Sequence, residues 1–204
     1  MIGILDYGVG NISAFLRIYH SHNIDAISIK TSNDFEKINK IILPGVGSFD
    51  AAMCKFKSSG LRESLDHNVL NNKMPLLGVC IGMHMIGNSS EEGYEKGLGY
   101  IDGVTKKITN IENKDHFLVP HMGWNSIETS RDDLIWNGVN KKEGFYFLHS
   151  YYFKPKREDL IIGTSNYHKN FACAVKSGHI YGFQFHPEKS LSNGIKLLVN
   201  FATA

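Results

Sequence analysis

Three residues of this chain have the chemical types of an activated acyl-transfer nucleophile. Cys80 lies between Gly78 and Gly82, and far downstream His186 precedes Glu188 by two positions. Glycines on both sides of a cysteine relieve the Cβ clashes of a sharp strand-to-helix turn, which would expose the thiol. The histidine supplies a general base, and the carboxylate orients its ring. The spacing therefore predicts a Cys80–His186–Glu188 triad.

Backbone groups near Cys80 are expected to complete this site. A helix that begins at Ile81 would direct its first N–H groups toward the thiol and stabilise a thiolate. The N–H of Ile81 is then placed to hold an oxyanion. Gly45, Val46 and Gly47 follow an earlier apolar run, and we expect them to form a flexible turn at the same edge. That turn would offer the oxyanion a second amide.

The other two cysteines lack flanking glycines. Cys54 lies in a predicted helix and Cys173 in a predicted strand, and we expect both to be core residues. The odd total of three cysteines, without CxxC spacing, argues against a disulfide framework or a zinc site and favours a reducing cytoplasm. We expect neither a metal nor a cofactor.

The length and composition are those of a soluble globular protein, and we expect a single domain over residues 1–204. The 22 basic and 20 acidic side chains give a formal charge of +2, without a basic cluster. Nucleic acid is therefore not an indicated partner. No apolar run reaches the length of a membrane span, so a membrane is not indicated either.

Short apolar runs alternate with helical patterns in the first half of the chain. This alternation predicts a parallel sheet covered by helices, with strands buried on both faces. Such sheets bind ligands at the carboxyl ends of their strands, where Cys80 is expected. The predicted strands are Ile2–Leu5, Ile24–Ile29, Lys40–Leu43 and Leu76–Val79, and the predicted helices are Asn11–His20, Asp34–Asn39, Ser48–Lys57 and Leu61–Asn71.

Aromatic and β-branched runs dominate the second half, which predicts antiparallel strands and hairpins. Ser177–Gly178 is the predicted two-residue turn, and Gly194–Phe201 is a short amphipathic helix. The fold class is therefore α/β, with a mixed, mostly parallel sheet flanked by helices and an antiparallel C-terminal portion. The predicted strands of this half are Phe117–Val119, Gly144–Phe153, Leu160–Ser165, Phe171–Lys176 and His179–Phe185.

Six blocks of sequence carry a family resemblance that extends nearly from end to end. They are Asp6–Asn11, Pro44–Phe49, Gly78–Gly82, Pro120–Asn125, His149–Tyr152 and Gln184–Ser190. Together they resemble the class I (triad) glutamine amidotransferases, and more narrowly the family of glutaminase subunits of imidazole glycerol phosphate synthase. The resemblance implies their flavodoxin-like fold.

The resemblance also implies a function. Glutamine would be hydrolysed to glutamate and ammonia, and the ammonia would pass to a (β/α)8-barrel partner that makes imidazole glycerol phosphate and AICAR in histidine biosynthesis. Cys80 would be the nucleophile, His186 the acid and base, and Glu188 the group that orients it. The resemblance implies substrate contacts for His84, Glu92, His149, Ser150 and Tyr151, and partner contacts for Asn11, Met122, Gly123, Trp124 and Lys189.

His84 departs from the family, which usually carries glutamine four residues after the nucleophile. Imidazole replaces one amide hydrogen bond but not the paired donor and acceptor. The pattern leaves open a paralogue that supplies ammonia for amidination of a surface-polysaccharide sugar. It also leaves open a cysteine peptidase or stand-alone amidase with the same triad, and a glutaminase-like interaction subunit that His84 makes inactive.

Overall fold

The computed structural model of the protein describes residues 1–109, 118–130 and 132–203. Strands and helices alternate in its first half, as the alternating patterns predict. In chain order these elements are β1 (Ile2–Leu5), α1 (Ile12–Ser21), β2 (Ala26–Ile29), β3 (Lys40–Gly45), α2 (Phe49–Ser58), α3 (Arg62–Asp66), β4 (Leu76–Cys80) and α4 (Ile81–Met85).

The second half consists mainly of strands and ends in a helix. Of the predicted strand Phe117–Val119, Phe117 lies outside the described residues, and Leu118 and Val119 are not in a strand. In chain order the elements are β5 (Ser89–Ser90), β6 (Gly103–Lys107), β7 (His121–Asn125), β8 (Glu128–Thr129), β9 (Phe145–His149), β10 (Tyr151–Pro155), β11 (Ile161–Tyr167), β12 (Lys169–Ser177), β13 (Ile180–Phe183) and α5 (Leu191–Thr203).

The central sheet has eight strands in the order β2-β1-β3-β4-β13-β12-β11-β8. The first five of these pair in parallel, and the last three pair antiparallel. Helix α1 contacts α5, and α2 contacts α4. The predicted mixed, mostly parallel sheet with an antiparallel C-terminal portion is therefore confirmed. Two smaller sheets, β10-β6-β5 and β7-β9, complete the described fold.

The parallel strands at the centre of this sheet are buried on both faces. Every residue of β1, β4 and β13 is buried, which accounts for their nearly continuous apolar sequences. The prediction of two-sided burial is wrong for β2, where Ile27 and Ser28 are half-buried, because β2 is an edge strand of the sheet. Within the described residues, no helix is long and apolar enough to span a membrane.

Two predicted helices have other helical geometries. The segment predicted as Asp34–Asn39 is a 3₁₀ helix over Ser32–Lys37. It is a short connection of six residues between β2 and β3, and 3₁₀ geometry is frequent in such connecting segments. The segment predicted as Leu61–Asn71 is α-helical in α3 and continues as a π-helix over His67–Asn71.

Two predictions in the second half differ in detail. The predicted strand Gly144–Phe153 is interrupted by one residue and forms the two strands β9 and β10, which join different sheets. The hairpin between β12 and β13 turns at Gly178 and His179, one residue later than predicted, because Ser177 still pairs with Ile180. Gly178 has a φ of +59°, which a glycine adopts without strain.

Candidate active site

Cys80 lies at a strained turn between a strand and a helix. It is the last residue of β4 and the N-cap of α4, with φ +54° and ψ −112°. A positive φ is uncommon for any residue other than glycine and is concentrated at functional sites. The turn is the one that the flanking glycines predict, and it places the thiol at the carboxyl end of the parallel sheet.

Three glycines allow the backbone to close around Cys80. A Cβ on Gly82 would collide with the carbonyl oxygen of Leu43, and a Cβ on Gly78 would lie 2.6 Å from the carbonyl oxygen of Gly82. A Cβ on Gly45 would lie 2.7 Å from the backbone nitrogen of Gly82. A side chain at any of these positions would force β3, β4 and α4 apart. The absence of a side chain at Gly45 therefore lets the start of α4 pack closely against the end of β3.

His186 and Glu188 reach the same edge of the sheet from β13. This strand pairs in parallel with β4, so the residues that follow both strands emerge side by side. Nδ1 of His186 donates to Oε1 of Glu188 at 2.9 Å, and the two side chains are 3% and 2% exposed. Nε2 is not engaged by Glu188, and Cys80 lines the same cavity as His186, with its thiol donating to the carbonyl oxygen of Leu148 at 3.9 Å. The three predicted triad side chains thus converge.

The His186 ring favours its protonated form. Burial lowers the pKa of His186, but hydrogen bonds and charge from Cys80 and Glu188 outweigh it and raise this pKa to about 10. An imidazolium beside Cys80 stabilises a thiolate, which is the nucleophilic form of cysteine. The ring is therefore suited to accept a proton and to hold it until it is donated to a leaving group.

A closed set of hydrogen bonds holds the His186 backbone against β9. The N–H of His186 donates to the carbonyl oxygen of Tyr146 at 2.9 Å, and the N–H of Tyr146 donates to Oγ of Ser190 at 3.0 Å. The Ser190 hydroxyl in turn donates to the carbonyl oxygen of His186 at 2.6 Å. The position of the base is thereby tied to strand β9.

A cavity of about 540 Å³ opens at Cys80 and His186. Gly45 does not line it, because this residue belongs to β3, where it pairs with Cys80. Pro120 and Leu148 line it although their types and spacing gave no reason to select them as site residues. The predicted oxyanion and substrate-contact residues that line the cavity are Val46, Gly47, Ile81, His84, Glu92, His149, Ser150 and Tyr151.

Tyr7 anchors one end of the loop that follows β3. Its hydroxyl donates to the carbonyl oxygen of Pro44 at 2.6 Å. Burial, with the charge of Cys80 as a smaller cause, raises the pKa of Tyr7, so its hydroxyl keeps its proton and remains a donor. Farther along this loop, Val46 is 40% exposed and Gly47 has a φ of +88° with open space around it. The loop is therefore fixed at Pro44 by a hydrogen bond, whereas no atom of the described residues, apart from its chain neighbours, lies within 4 Å of the position that a Cβ of Gly47 would take.

Glu92 brings a carboxylate into the wall of the cavity. One of its oxygens, Oε2, accepts a hydrogen bond of 2.9 Å from the N–H of Phe49, the first residue of α2. Burial raises the pKa of Glu92, and the hydrogen bond from Phe49 opposes this rise. Within the described residues, no group of three or more His, Cys, Asp or Glu side chains could hold a metal ion.

Comparison with known proteins places this geometry in a family. The model of the glutamine amidotransferase class-I family matches residues 4–204. The chain belongs to this family. It is 45% identical over 203 residues to the imidazole glycerol phosphate synthase subunit HisH of Leptospira interrogans, with 100% of both chains covered. It is 43% identical over 201 residues to subunit HisH 2 of Pseudomonas aeruginosa, with 98% of both chains covered.

Solved structures share the fold of this class-I amidotransferase. A putative GMP synthase subunit from Thermoplasma acidophilum superposes with a TM-score of 0.72 at 17% identity, over 99% of this chain and 92% of that one. PurLQS from Thermotoga maritima gives a TM-score of 0.71 at 15% identity, over 99% and 97%. At these identities the likeness extends to the fold, and the full-length HisH relatives define the branch of the family.

His84, the departure from the family pattern, is buried in this amidotransferase beside Gln184. Its Nε2 donates to Oε1 of Gln184 at 2.8 Å, since an amide oxygen only accepts. Burial lowers the pKa of His84 to about 4, although the hydrogen bond to Gln184 opposes this shift. Nδ1 of His84 and Nε2 of Gln184 have no hydrogen-bond partner in the described part of the chain.

The two remaining cysteines differ from each other. Cys173 is fully buried in β12, as predicted, and burial raises the pKa of its thiol. Cys54 is exposed, so the prediction that it is a core residue is wrong. The reason is the phase of α2, in which Met53 and Phe56 face the core and Cys54 points outward.

Exposed apolar side chains line the cavity of this amidotransferase at Val46 and Leu148 and continue onto β7 and the segment before it. Strand β7 alternates, so that Met122 and Trp124 point outward and are 67% and 48% exposed. Patches of this kind mark interaction surfaces. We call this the mouth surface; its members are Val46, Leu118, Val119, Met122, Trp124 and Leu148.

The other predicted partner-contact residues lie around this region. Lys189 lines the cavity, with its Nζ 5.8 Å from the centre of the Tyr146 ring. Gly123 lies between the two outward-facing residues of β7 and has a φ of +126°. Asn11 is half-buried at the start of α1, next to Gly10, which packs against Pro44. These contacts place Asn11 close to the loop that Tyr7 anchors.

Proposed function

We propose that this chain is the glutaminase subunit of an imidazole glycerol phosphate synthase, acting in the cytoplasm as a single domain over residues 1–204. Ammonia released from L-glutamine would pass to a (β/α)8-barrel partner that makes imidazole glycerol phosphate and AICAR. The observation that carries this proposal is the convergence of Cys80, His186 and Glu188 at one cavity. The full-length likeness to HisH subunits supports it.

The reaction begins at the thiol. His186 accepts the Cys80 proton, and the thiolate attacks the carbonyl carbon of the glutamine side chain. A carbon–sulfur bond forms, and the carbonyl π electrons move to oxygen. Backbone N–H groups of Ile81 and of the loop at Val46 and Gly47 stabilise this oxyanion.

Collapse of the intermediate releases ammonia. The imidazolium of His186 donates its proton to the departing nitrogen, the carbon–nitrogen bond breaks, and a glutamyl thioester remains on Cys80. His186 then takes a proton from a water molecule, whose oxygen attacks the thioester. Breaking the carbon–sulfur bond returns the Cys80 sulfur and leaves glutamate. Glu188 keeps the ring oriented through both proton transfers.

The walls of the cavity are suited to the amino-acid end of glutamine. Glu92 offers a carboxylate to the α-ammonium group, and its Oε2 is already fixed by the N–H of Phe49. Ser150 and Tyr151 border the cavity where β9 gives way to β10, so their polar groups are available to the α-carboxylate. A volume of about 540 Å³ accommodates a single amino acid with space to spare.

The mouth surface is the proposed docking site of the barrel. Docking there would cover the opening of the cavity, so ammonia would leave into the partner instead of into bulk water. We expect the isolated chain to be nearly inactive, because the loop at Val46 and Gly47 is unconfined at its free end and needs the partner to hold its amide toward the oxyanion.

A second acceptor for the ammonia is favoured by one observation, the presence of His84 where the family usually carries glutamine. In that case the partner would use ammonia for amidination of a surface-polysaccharide sugar. The chemistry at Cys80 would be the same in both roles. The product formed by the reconstituted complex distinguishes them.

Replacement of the nucleophile tests the proposed function. In the complex of the full chain with its barrel partner, Cys80→Ala should abolish glutamine-dependent turnover and leave ammonia-dependent turnover intact. Cys54→Ala is the matched control, because this thiol is exposed on α2, outside the cavity, and both activities should persist. Substantial glutamine hydrolysis by the Cys80→Ala variant would contradict the proposal. Full hydrolysis by the isolated wild-type chain would contradict the need for a partner.

Labelling with a glutamine-like electrophile separates the remaining alternatives. A working glutaminase should be labelled at Cys80 in preference to Cys54 and Cys173. An inactive interaction subunit should show no such preference. A peptidase or stand-alone amidase should instead hydrolyse larger amides without any partner.

A further inference from the structure

A chain of hydrogen bonds runs from β7 to the wall of the cavity. Nδ1 of His121 lies 2.9 Å from Nε2 of His149, and Nδ1 of His149 lies 2.8 Å from the carbonyl oxygen of Tyr151. At the other end, Nδ2 of Asn125 lies 3.2 Å from Nε2 of His121. The steps of glutamine hydrolysis described above make no use of this chain.

The two ends of the chain determine which atoms donate. The carbonyl of Tyr151 only accepts, so His149 carries its hydrogen on Nδ1 and accepts at Nε2. His121 must then donate from Nδ1, which leaves its Nε2 to accept from the amide of Asn125. That amide also donates to the carbonyl oxygen of Asn166 at 2.9 Å, which agrees with this orientation.

The surroundings keep both rings neutral. Burial is the main cause that lowers the pKa of His149 to about 3 and that of His121 to about 4. The ring of His121 is stacked between Phe147 and Tyr167, with centre-to-centre distances of 4.8 Å and 4.0 Å. His121 is therefore fixed in position as well as in protonation state.

Strand β7 has two functional faces. His121 and Asn125 point inward to the hydrogen-bond chain, whereas Met122 and Trp124 point outward in the mouth surface. His121 pairs with His149 across the β7–β9 ladder, so its ring reaches the cavity wall from the strand that carries the mouth surface. One strand thus contacts both the surface proposed for the partner and the site proposed for glutamine.

We propose that His121 is a positioning residue of the glutamine site, an inference that rests on the proposed function. Both ring nitrogens of His149 are engaged, one by Tyr151 and one by His121, so His149 serves the cavity as a rigid support. By donating to His149, His121 fixes that ring together with the carbonyl of Tyr151. Loss of the donor frees the part of the wall that faces the amino-acid end of glutamine.

Nuclear magnetic resonance of the full-length chain tests the hydrogen-bond assignment without any activity. Two-bond ¹H–¹⁵N spectra of the imidazole rings should show His121 and His149 in the Nδ1–H form at neutral pH, with signals assigned by single substitutions. An Nε2–H form of His149 would overturn the proposal. Because no turnover is measured, this result stands whether or not the protein hydrolyses glutamine.

Three substitutions of His121 separate the hydrogen bond from the packing. His121→Phe keeps an aromatic ring between Phe147 and Tyr167 but removes the donor, and His121→Leu repeats the test with a smaller side chain. His121→Asn keeps an N–H near the position of Nδ1 but loses the stacking. In the complex with the barrel partner, we expect His121→Phe to raise KM for glutamine at least about tenfold, with kcat little changed, because a buried acceptor loses its donor.

The controls distinguish a loss of the hydrogen bond, which should change KM, from a loss of packing, which should change Tm. We expect His121→Asn to have a lower Tm than His121→Phe and a KM near that of the wild type, and ammonia-dependent turnover should be unchanged in all variants. A wild-type KM in both His121→Phe and His121→Leu would overturn the proposal. So would an increase in KM that parallels the decrease in Tm across the three variants, because KM would then report the loss of stability. A wild-type complex without any glutamine hydrolysis would refute the proposed function instead, and the resonance spectra would still decide the hydrogen-bond chain.

Discussion

Nδ1 of His186 and Oε1 of Glu188 lie 2.9 Å apart in side chains that are almost completely shielded from solvent. They are brought together by a short 3₁₀ turn over Pro187–Lys189, whose first residue has the fixed φ of proline. The carboxylate has two separable effects on the ring. It selects the tautomer that leaves Nε2 for Cys80, and its charge raises the pKa of His186.

Glu188→Gln separates these two effects. The amide oxygen still accepts from Nδ1, so the tautomer is kept, but the charge is lost and the pKa of His186 should fall from about 10. We expect glutamine-dependent kcat to fall by about 100-fold, the lower end of what acid–base catalysis contributes. Glu188→Ala, which loses the orientation as well, should be slower still.

The pH dependence of glutamine hydrolysis provides the check. The alkaline limit of the wild-type profile should move to lower pH in Glu188→Gln, while ammonia-dependent turnover of the same complex stays constant. Wild-type rates in both variants would show that Glu188 does not assist His186.

The triad could be predicted because its signals are local. Gly78 and Gly82 identify the turn at Cys80, and a single proline separates His186 from Glu188. What brings the two segments together is the parallel pairing of β13 with β4. The sequence did not predict this pairing, because the patterns of the second half, to which β13 belongs, indicate antiparallel strands. The convergence of the side chains therefore needed the structure.

The contact between His121 and His149 could not be predicted in the same way. The two residues are 28 positions apart, and their pairing depends on the register of β7 against β9. A shift of one residue would turn His121 outward and Met122 inward. The sequence signal for this contact is the alternation within β7. His121 and Asn125 are polar and share one face of the strand, whereas the large apolar residues Met122 and Trp124 share the other.

Introduction of a negative charge into the mouth surface tests whether the partner docks there. Met122→Asp should weaken the complex with the barrel partner at least about tenfold, because a carboxylate cannot be buried in an apolar interface without a partner charge. Leu134→Asp is the matched control: Leu134 is 66% exposed against 67% for Met122, and it borders a different cavity. Sedimentation or calorimetric titration measures the affinity. Equal affinities of the two variants would exclude the mouth surface as the docking site.

Three buried histidines predict that the protein loses stability in mild acid. Burial is the main cause that lowers the pKa of His84 and His121 to about 4 and that of His149 to about 3, from the ordinary 6.5. At pH values between the lowered pKa values and 6.5, the unfolded chain binds up to three more protons than the native state. The contribution of these three histidines to the free energy of unfolding is thus complete above pH 6.5 and is lost below it, by up to about 4 kcal/mol per pH unit.

The contribution of His186 to the free energy of unfolding depends on pH in the opposite direction, because the pKa of His186 is raised to about 10. This contribution is complete below pH 6.5 and is lost as the pH rises toward 10. Urea unfolding at a series of pH values measures both limbs. His67→Gln, at an exposed position, should keep the wild-type slope on the acid side. A denaturation midpoint that stays constant from pH 6.5 to 4.5 would refute the acid prediction.

His84→Gln tests whether the departure from the family pattern limits substrate binding. The imidazole of His84 donates its one N–H to Gln184. Nδ1 of His84 and the amide nitrogen of Gln184 have no hydrogen-bond partner among the described residues. A carboxamide at position 84 supplies both a donor and an acceptor, so we expect KM for glutamine to fall about threefold or more, the value of one recovered hydrogen bond. His84→Leu is the apolar control and should cost about 1–3 kcal/mol of unfolding free energy, since it leaves Oε1 of Gln184 unpaired. A higher KM in His84→Gln would mean that the imidazole fits the substrate of this chain better than the amide does.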